Sequence, residues 1–415
     1  MRSRQEPSTF DSNEQRIVHF TGFAHAATHY VELVFPTLAV GLAAEIGISL
    51  EVVLSWSFAS YLLFGLGALP AGIAADRFGA RPVIIAGLLT AGLGTCIAGS
   101  VAPGWPLALA LAAVGAGASL YHPAGTGLLS RAVVQRGRAL GINGIYGNAG
   151  IALAPLVTFA LSSAIGWRLT LWTTGIVILA GTFLFNRVRF EEPPRGESNP
   201  HANRNESAPL SSRGILVFVV LCIAATLGGF IYRGNIVAEP ALFSENIFFI
   251  NYGLAASIAL LIGIGGQYLG GLMADRYELR ITYGIFHLMA LPALIAMSLL
   301  AQWPLLLAGS LYSFFSLGMQ PVENSLFAAL TPERWRATAY GLKFVFTFGL
   351  GSTAVFLVRG VAEASSWSNV YLALAGVGVA LILFIGLLII LTWGRPARNT
   401  QPTPSRSDQP EATSP

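Results

Sequence analysis

Twelve apolar runs, each long enough to cross ~30 Å of hydrocarbon and nearly free of charge, dictate how this chain folds. They occupy residues 17–42, 50–75, 81–101, 105–130, 139–164, 167–186, 214–238, 250–274, 281–301, 303–330, 337–361 and 367–393. Lipid offers no partner to an open N–H or C=O, so a spanning segment must satisfy its own backbone as a helix. Only 11% of the 415 residues are charged, against about 25% in an ordinary soluble domain. A soluble globular fold is excluded. The first run is too long for a signal peptide and follows a polar leader, so it reads as an uncleaved helix. Cys96 and Cys222 lie inside apolar runs and read as small packing residues.

A short charged turn recurs about two hundred positions apart: GIAADRFGAR at 72–81 and GLMADRYELR at 271–280. Gly72, Asp76, Arg77 and Arg81 match Gly271, Asp275, Arg276 and Arg280. Pro123 with Pro321 and Gly141 with Gly341 keep nearly the same offset, so the chain reads as two parallel duplicates. The expected organisation is a leader 1–16, a six-helix bundle 17–186, a polar linker 187–213, a second bundle 214–393 and a disordered tail 394–415. With both termini in the cytoplasm, twenty of the twenty-four Lys and Arg fall on that side. Arg168 and Arg359 fall outside, and Arg233 and Lys343 lie within runs. The net charge of +4 therefore reflects membrane topology, and no nucleic-acid partner is expected.

In each turn the glycine is expected to let helices approach closely. The aspartate is expected to accept from a helix amino terminus or pair with an arginine of an adjacent loop, such as Arg131 or Arg334, as a latch between conformations. Gly72-x-x-x-Asp76-Arg77-x-Gly79-x-Arg81 resembles the loop 2–3 signature of the major facilitator superfamily, and twelve runs with a central linker extend that resemblance over nearly the whole chain. Ala80 departs from the usual basic residue, and Glu278 and Leu279 depart in the second copy, which implies a weaker second latch. GAGASLYHPAGTGLLSR (115–131) and GINGIYGNAGIALAP (141–155) are similar to fosmidomycin-resistance-type exporters. The resemblance implies an all-α membrane protein of twelve transmembrane helices in two pseudo-symmetric six-helix bundles, with spans 1, 4, 7 and 10 around a central cavity.

Ionisable groups inside the membrane are costly and mark pathways or coupling sites. They are His25, His29 and Glu32 in span 1, His122 in span 4, Arg233 in span 7, Glu323 in span 10 and Lys343 in span 11. His25, His29 and Glu32 share one helical stripe. Two histidines and a carboxylate are a partial zinc set with nothing nearby to complete it, so no metal is expected and proton exchange suits them better. Glu323 and Lys343 lie at similar depth and are expected to pair, structurally or as a proton-operated switch. Arg233 faces either an anionic group on the cargo or a partner such as Glu32 or Glu239. His122, Asn143 and Tyr146 are candidate cargo contacts, and Asn148, Gln267 and Tyr268 add polar edges.

Glycine runs such as GIGGQYLGG (263–271) have no strand before them and no Walker lysine, so no nucleotide or other cofactor is expected. No nucleophile–base set marks an enzyme. The reading is a monomeric secondary transporter of the bacterial inner membrane, moving a small organic solute, an anionic one where Arg233 meets the cargo, by proton-coupled efflux. Proton-coupled uptake of an organic anion and a non-transporting sensor or scaffold of the same fold are the alternatives.

Overall fold

The computed structural model describes residues 10–192, 212–331 and 336–394. Outside them lie the first nine residues, most of the linker, residues 332–335 and the tail, with Arg2, Arg4, Arg195, Arg204, Arg334, Arg395, Arg398 and Arg406. Among the described residues there are helices and no strands. Span 1 is Ser12–Ile46. It opens on a capping box, in which Asp11 accepts from the backbone of Asn13 and Glu14 while Glu14 reaches back to Asp11, and it closes on Gly47 in the left-handed region.

Span 2 is broken into Leu50–Ser55, Phe58–Leu66 and Ala68–Phe78, bending by 45° at Gly67. Span 3 is Ala80–Ser100, and span 4 is Trp105–Ala118 followed by Tyr121–Ala132. Span 4 breaks where Pro123 withholds the N–H that Ser119 C=O would need. Arg136–Asn186 is one helical run of 51 residues. At 1.5 Å per residue it measures about 76 Å, more than twice the hydrocarbon thickness. Gly166 reverses it with φ 75°, so it supplies spans 5 and 6. Spans 7 to 10 are Ser212–Asn246, Tyr252–Arg276, Leu279–Leu299 and Gln302–Leu330. Span 11 runs from Arg336 to Ala364 through a π turn at Val345–Gly349 and a 3-10 turn at Leu350–Thr353. Span 12 is Trp367–Leu391.

These twelve traverses form two six-helix bundles that meet along two seams. Span 2 packs on span 11, and span 5 on span 8. A Cβ on Gly65 would overlap the backbone of Gly349, and one on Gly253 would meet Phe159 and the Pro155 carbonyl. Leu156 N donates to Ser257 Oγ at 3.0 Å across the second seam, and Tyr252 Oη of span 8 donates to Thr37 O of span 1 at 3.2 Å beside it. Within the second bundle, Gly266 and Gly270 bring span 8 against the backbone of Phe314 and Gly318 in span 10. Large apolar side chains such as Leu299, Leu383 and Ile390 face outward, as lipid contact requires, and Trp303 stacks on Phe249 at one end with 3.9 Å between centroids.

The motif glycines are a correction. Gly271 has open space around it and Gly72 only ordinary contact with Pro123, so neither is the close-approach position. Gly270 is. Gly270→Ala is expected to destabilise the purified protein by about 1–3 kcal/mol through overpacking. Gly376→Ala, at an exposed helical glycine with open space, is expected not to destabilise it. Thermal unfolding in detergent compares the two.

Candidate functional site

Span 1 presents His25, His29 and Glu32 toward spans 2, 4, 5 and 7, and Glu32 is the hub. Its Oε1 forms an ion pair with Arg233 Nη2 of the opposite bundle, and its Oε2 accepts from His29 Nδ1 at 3.0 Å. Its backbone carbonyl accepts from Tyr61 Oη at 3.1 Å, and the Arg233 guanidinium lies 3.7 Å from the centre of the Tyr61 ring. Arg233 is 1% exposed and Glu32 7%. Of the partners open to Arg233, the structure selects Glu32. Glu239 is buried nearby on the same helix with an unpartnered Oε1. Arg233 still holds Nε and Nη1 without a partner.

The other two histidines complete the cluster. His25 Nδ1 donates to Asn143 O at 2.8 Å, and Tyr121 Oη donates to Asn143 Oδ1 at 2.8 Å, leaving Asn143 Nδ2 buried and unpartnered. His122 sits over both span 1 imidazoles, with ring centroids 5.2 Å from His25 and 5.1 Å from His29. Gly147 and Gly150 of span 5 make room for span 1, since a Cβ on Gly147 would enter the His25 ring. Phe64 of span 2 and Phe344 of span 11 flank His122, and Phe348 stacks behind Phe344. Aromatic groups from both bundles therefore cover the cluster in this structure.

A second cluster lies wholly in the second bundle. Lys343 Nζ pairs with Glu323 Oε1 at 2.8 Å and donates to Asn324 Oδ1 at 2.5 Å, while Tyr283 Oη donates to Glu323 Oε2 at 2.6 Å. Edge-on to Tyr283 at 4.6 Å is His287, whose Nε2 is buried without a partner. It borders a cavity of about 20 Å³, also lined by Gly228, Tyr312 and Ser316, which is room for one water. Tyr283, His287 and Asn324 were missed in the sequence. The i, i+4 spacing of Tyr283 and His287 on one face of span 9 was the available signal.

Other candidates land elsewhere. Tyr146 leaves the imidazole cluster and meets His19, Oη to Nδ1 at 2.9 Å. Asn148 donates to Gln267, which donates to Gln320 at 3.5 Å, so these amides bridge spans 5, 8 and 10. Tyr268 points outward, 73% exposed, one residue and about 100° of helical turn away from Gln267.

The first turn does not form the expected aspartate latch. Asp76 is exposed and makes no hydrogen bond or ion pair among the described residues. Asp275 and Arg276 are exposed, and any pairing with Arg334 lies outside the described residues. The arginine at the far end of each turn carries the structure instead. Arg81 donates to Asn186 O at 2.6 Å at the end of span 6 and lies over Phe190. Glu192 accepts from the backbone of Ala80 and Arg81 at the start of span 3, after Gly79 has turned the chain with φ 97°. Arg280 donates to Thr392 O at 2.7 Å at the end of span 12 and pairs with Glu278, which caps span 9. In both bundles the turn ties the third helix to the end of the sixth. Arg77 lies over the neighbouring Phe78 ring.

The sequence model described as Major Facilitator Superfamily matches residues 18–243 and 221–414. The uncharacterized MFS-type transporter YfnC of Bacillus subtilis (strain 168) is 24% identical over 282 residues, covering 65% of this chain and 68% of that protein. The multidrug resistance protein MdtH of Yersinia pestis (strain Pestoides F) is 30% identical over 128 residues, covering 30% of this chain and 32% of its own. Among solved structures, an inward-facing, unoccupied bacterial homolog of the human lysosomal transporter Spinster superposes with TM-score 0.70 at 18% identity, over 92% of this chain and 96% of that one.

The Glu32–Arg233 pair generates a stability prediction. Removing either charge alone strands the other in the apolar interior and is expected to cost about 3–5 kcal/mol. The Glu32→Gln, Arg233→Gln double variant is expected to recover much of that loss. Thermal unfolding of the two single variants and the double variant reads the coupling.

Proposed function

This chain belongs to the Major Facilitator Superfamily, and from that premise we propose that it is a secondary active transporter exporting a small organic anion in exchange for protons. Its two bundles rock about a site at mid-depth in the bacterial inner membrane, with both termini in the cytoplasm. One observation carries the anionic cargo. Arg233 Nε and Nη1 are buried donors without acceptors, in a chain whose other buried polar groups are mostly satisfied. A carboxylate or phosphonate on the cargo supplies those acceptors and competes with Glu32 for Arg233. Because Glu32 and Arg233 belong to opposite bundles, that competition loosens the link between them, so binding is coupled to rocking.

Glu323 is the proton carrier in this scheme. Its cation, Lys343, lies in the same bundle, so taking up a proton releases Lys343 without breaking the link at Glu32. The alternative carriers, His25, His29 and Glu32, are tied into that link or lie beside it. The partial similarity to a multidrug resistance protein supports the outward direction.

Thermal-shift screening against organic acids and phosphonates identifies a cargo, and proteoliposomes with an imposed pH gradient then test the scheme. Arg233→Gln is expected to lower transport of the acid at least tenfold. Glu323→Gln is expected to abolish pH-driven accumulation and retain solute exchange, because exchange needs no net proton release. Unchanged pH-driven transport by Glu323→Gln would refute the carrier assignment. Protection of growing cells against the toxic acid, as opposed to accumulation of labelled acid, reads the direction.

A further inference from the structure

We propose that His25, His29 and His122 form a binding site for one divalent first-row transition-metal ion such as zinc or cobalt. One ring nitrogen from each histidine lies within 4.8 Å of the others. A tetrahedral ion held at 2.0–2.1 Å needs nitrogens about 3.4 Å apart, so modest ring rotations close the set.

The hydrogen bonds around the rings decide which nitrogens are free. Asn143 O is a carbonyl and can only accept, so His25 carries its proton on Nδ1 and offers the Nε2 lone pair. Glu32 Oε2 fixes His29 in the same tautomer. His122 Nε2 is buried and has no partner. Three imidazoles, two of them held through Nδ1 by a carboxylate and a backbone carbonyl, match the outer-shell pattern that orients histidines on a metal. Tyr121 holds Asn143 in turn, so the support is two residues deep.

An all-imidazole set selects zinc, cobalt, nickel or copper over calcium and magnesium, which need oxygen ligands. Three ligands leave a tetrahedral ion one position for water or an anion. All three histidines come from spans 1 and 4 of one bundle, so the site persists when the bundles move against each other. The proposal is independent of whether Arg233 binds cargo.

The test uses the full chain purified without a polyhistidine tag and stripped with chelator. Titration with cobalt(II) alone is expected to give visible tetrahedral bands saturating at one ion per chain, displaced by zinc(II). His25→Gln, His29→Gln and His122→Gln are each expected to weaken binding about tenfold or more. His287→Gln, at a buried histidine outside the cluster, is expected to leave it unchanged. His122→Cys keeps a ligand and is expected to retain binding, with a thiolate-to-cobalt band added in the near ultraviolet. That gain of signal does not depend on the glutamine variants folding. No saturable band in the wild-type chain, or the same band in the triple glutamine variant, overturns the proposal.

Discussion

An arginine cannot stay charged in the middle of a bilayer without an anion beside it, and the fold is arranged around meeting that need for Arg233. An isolated charge at that depth costs at least about 2.5–3.5 kcal/mol on insertion scales. Glu32 supplies the anion, Tyr61 covers the guanidinium face, and His29 takes the second carboxylate oxygen. Each of these groups comes from a different position in the first bundle, while Arg233 comes from the second. The pair therefore acts as a link between the halves as much as a neutralisation. Leaving two guanidinium nitrogens unpartnered is an expense that packing alone does not explain.

The two seams show how a link at the centre is joined to movement at the ends. Span 5 meets span 8 through tight contact at Gly253 and through the hydrogen bond from Asn148 to Gln267, and span 2 meets span 11 backbone to backbone at Gly65 and Gly349. Span 2 is broken at Gly67, and span 11 changes helical type at Val345–Thr353 beside it. π and 3-10 turns are places where a helix yields without losing all its hydrogen bonds. The irregular backbone is thus concentrated on the seam whose Phe64, Phe344 and Phe348 cover the imidazoles. In contrast, each bundle is stiffened internally by its own turn arginine, Arg81 or Arg280, which anchors the third helix to the sixth. Stiff halves and one yielding seam are what rigid-body rocking needs.

The number of traverses was legible because lipid makes hydrophobic length a direct measure of crossing. The break in span 4 was legible because Pro123 withholds a donor. Grouping by helix was legible too, since one face of span 1 carries His25, His29 and Glu32. Across helices, opposite charges such as Glu323 and Lys343 could be paired from their depth, whereas the partners of uncharged groups could not. Sequence spacing fixes the angle of a side chain about its own helix, and it says nothing of which neighbour occupies that direction. Thus His122 joins His25 and His29 across more than ninety residues of chain, whereas Tyr146, three residues from Asn143, turns to His19. Asp76 of the first turn was misjudged for a related reason. The motif marks a turn, and the anchor is the arginine that reaches the next helix end, a contact set by the packing of spans 3 and 6 or 9 and 12.

Charge balance unites the central features. With neutral imidazoles, Glu32 and Arg233 sum to zero, as do Glu323 and Lys343, so the interior described here carries no net charge at either cluster. Any charged ligand must disturb that balance through the group nearest to it. An anion at Arg233 releases Glu32 toward His29. A cation on the imidazoles draws Glu32 toward His29 from the other side, because a metal-bound ring is a stronger donor than a neutral one. If both proposed sites are occupied, both ligands weaken the same link between the bundles, and by reciprocity a chain with that link open binds either ligand more tightly. On that scheme cation and anion are synergistic at one carboxylate.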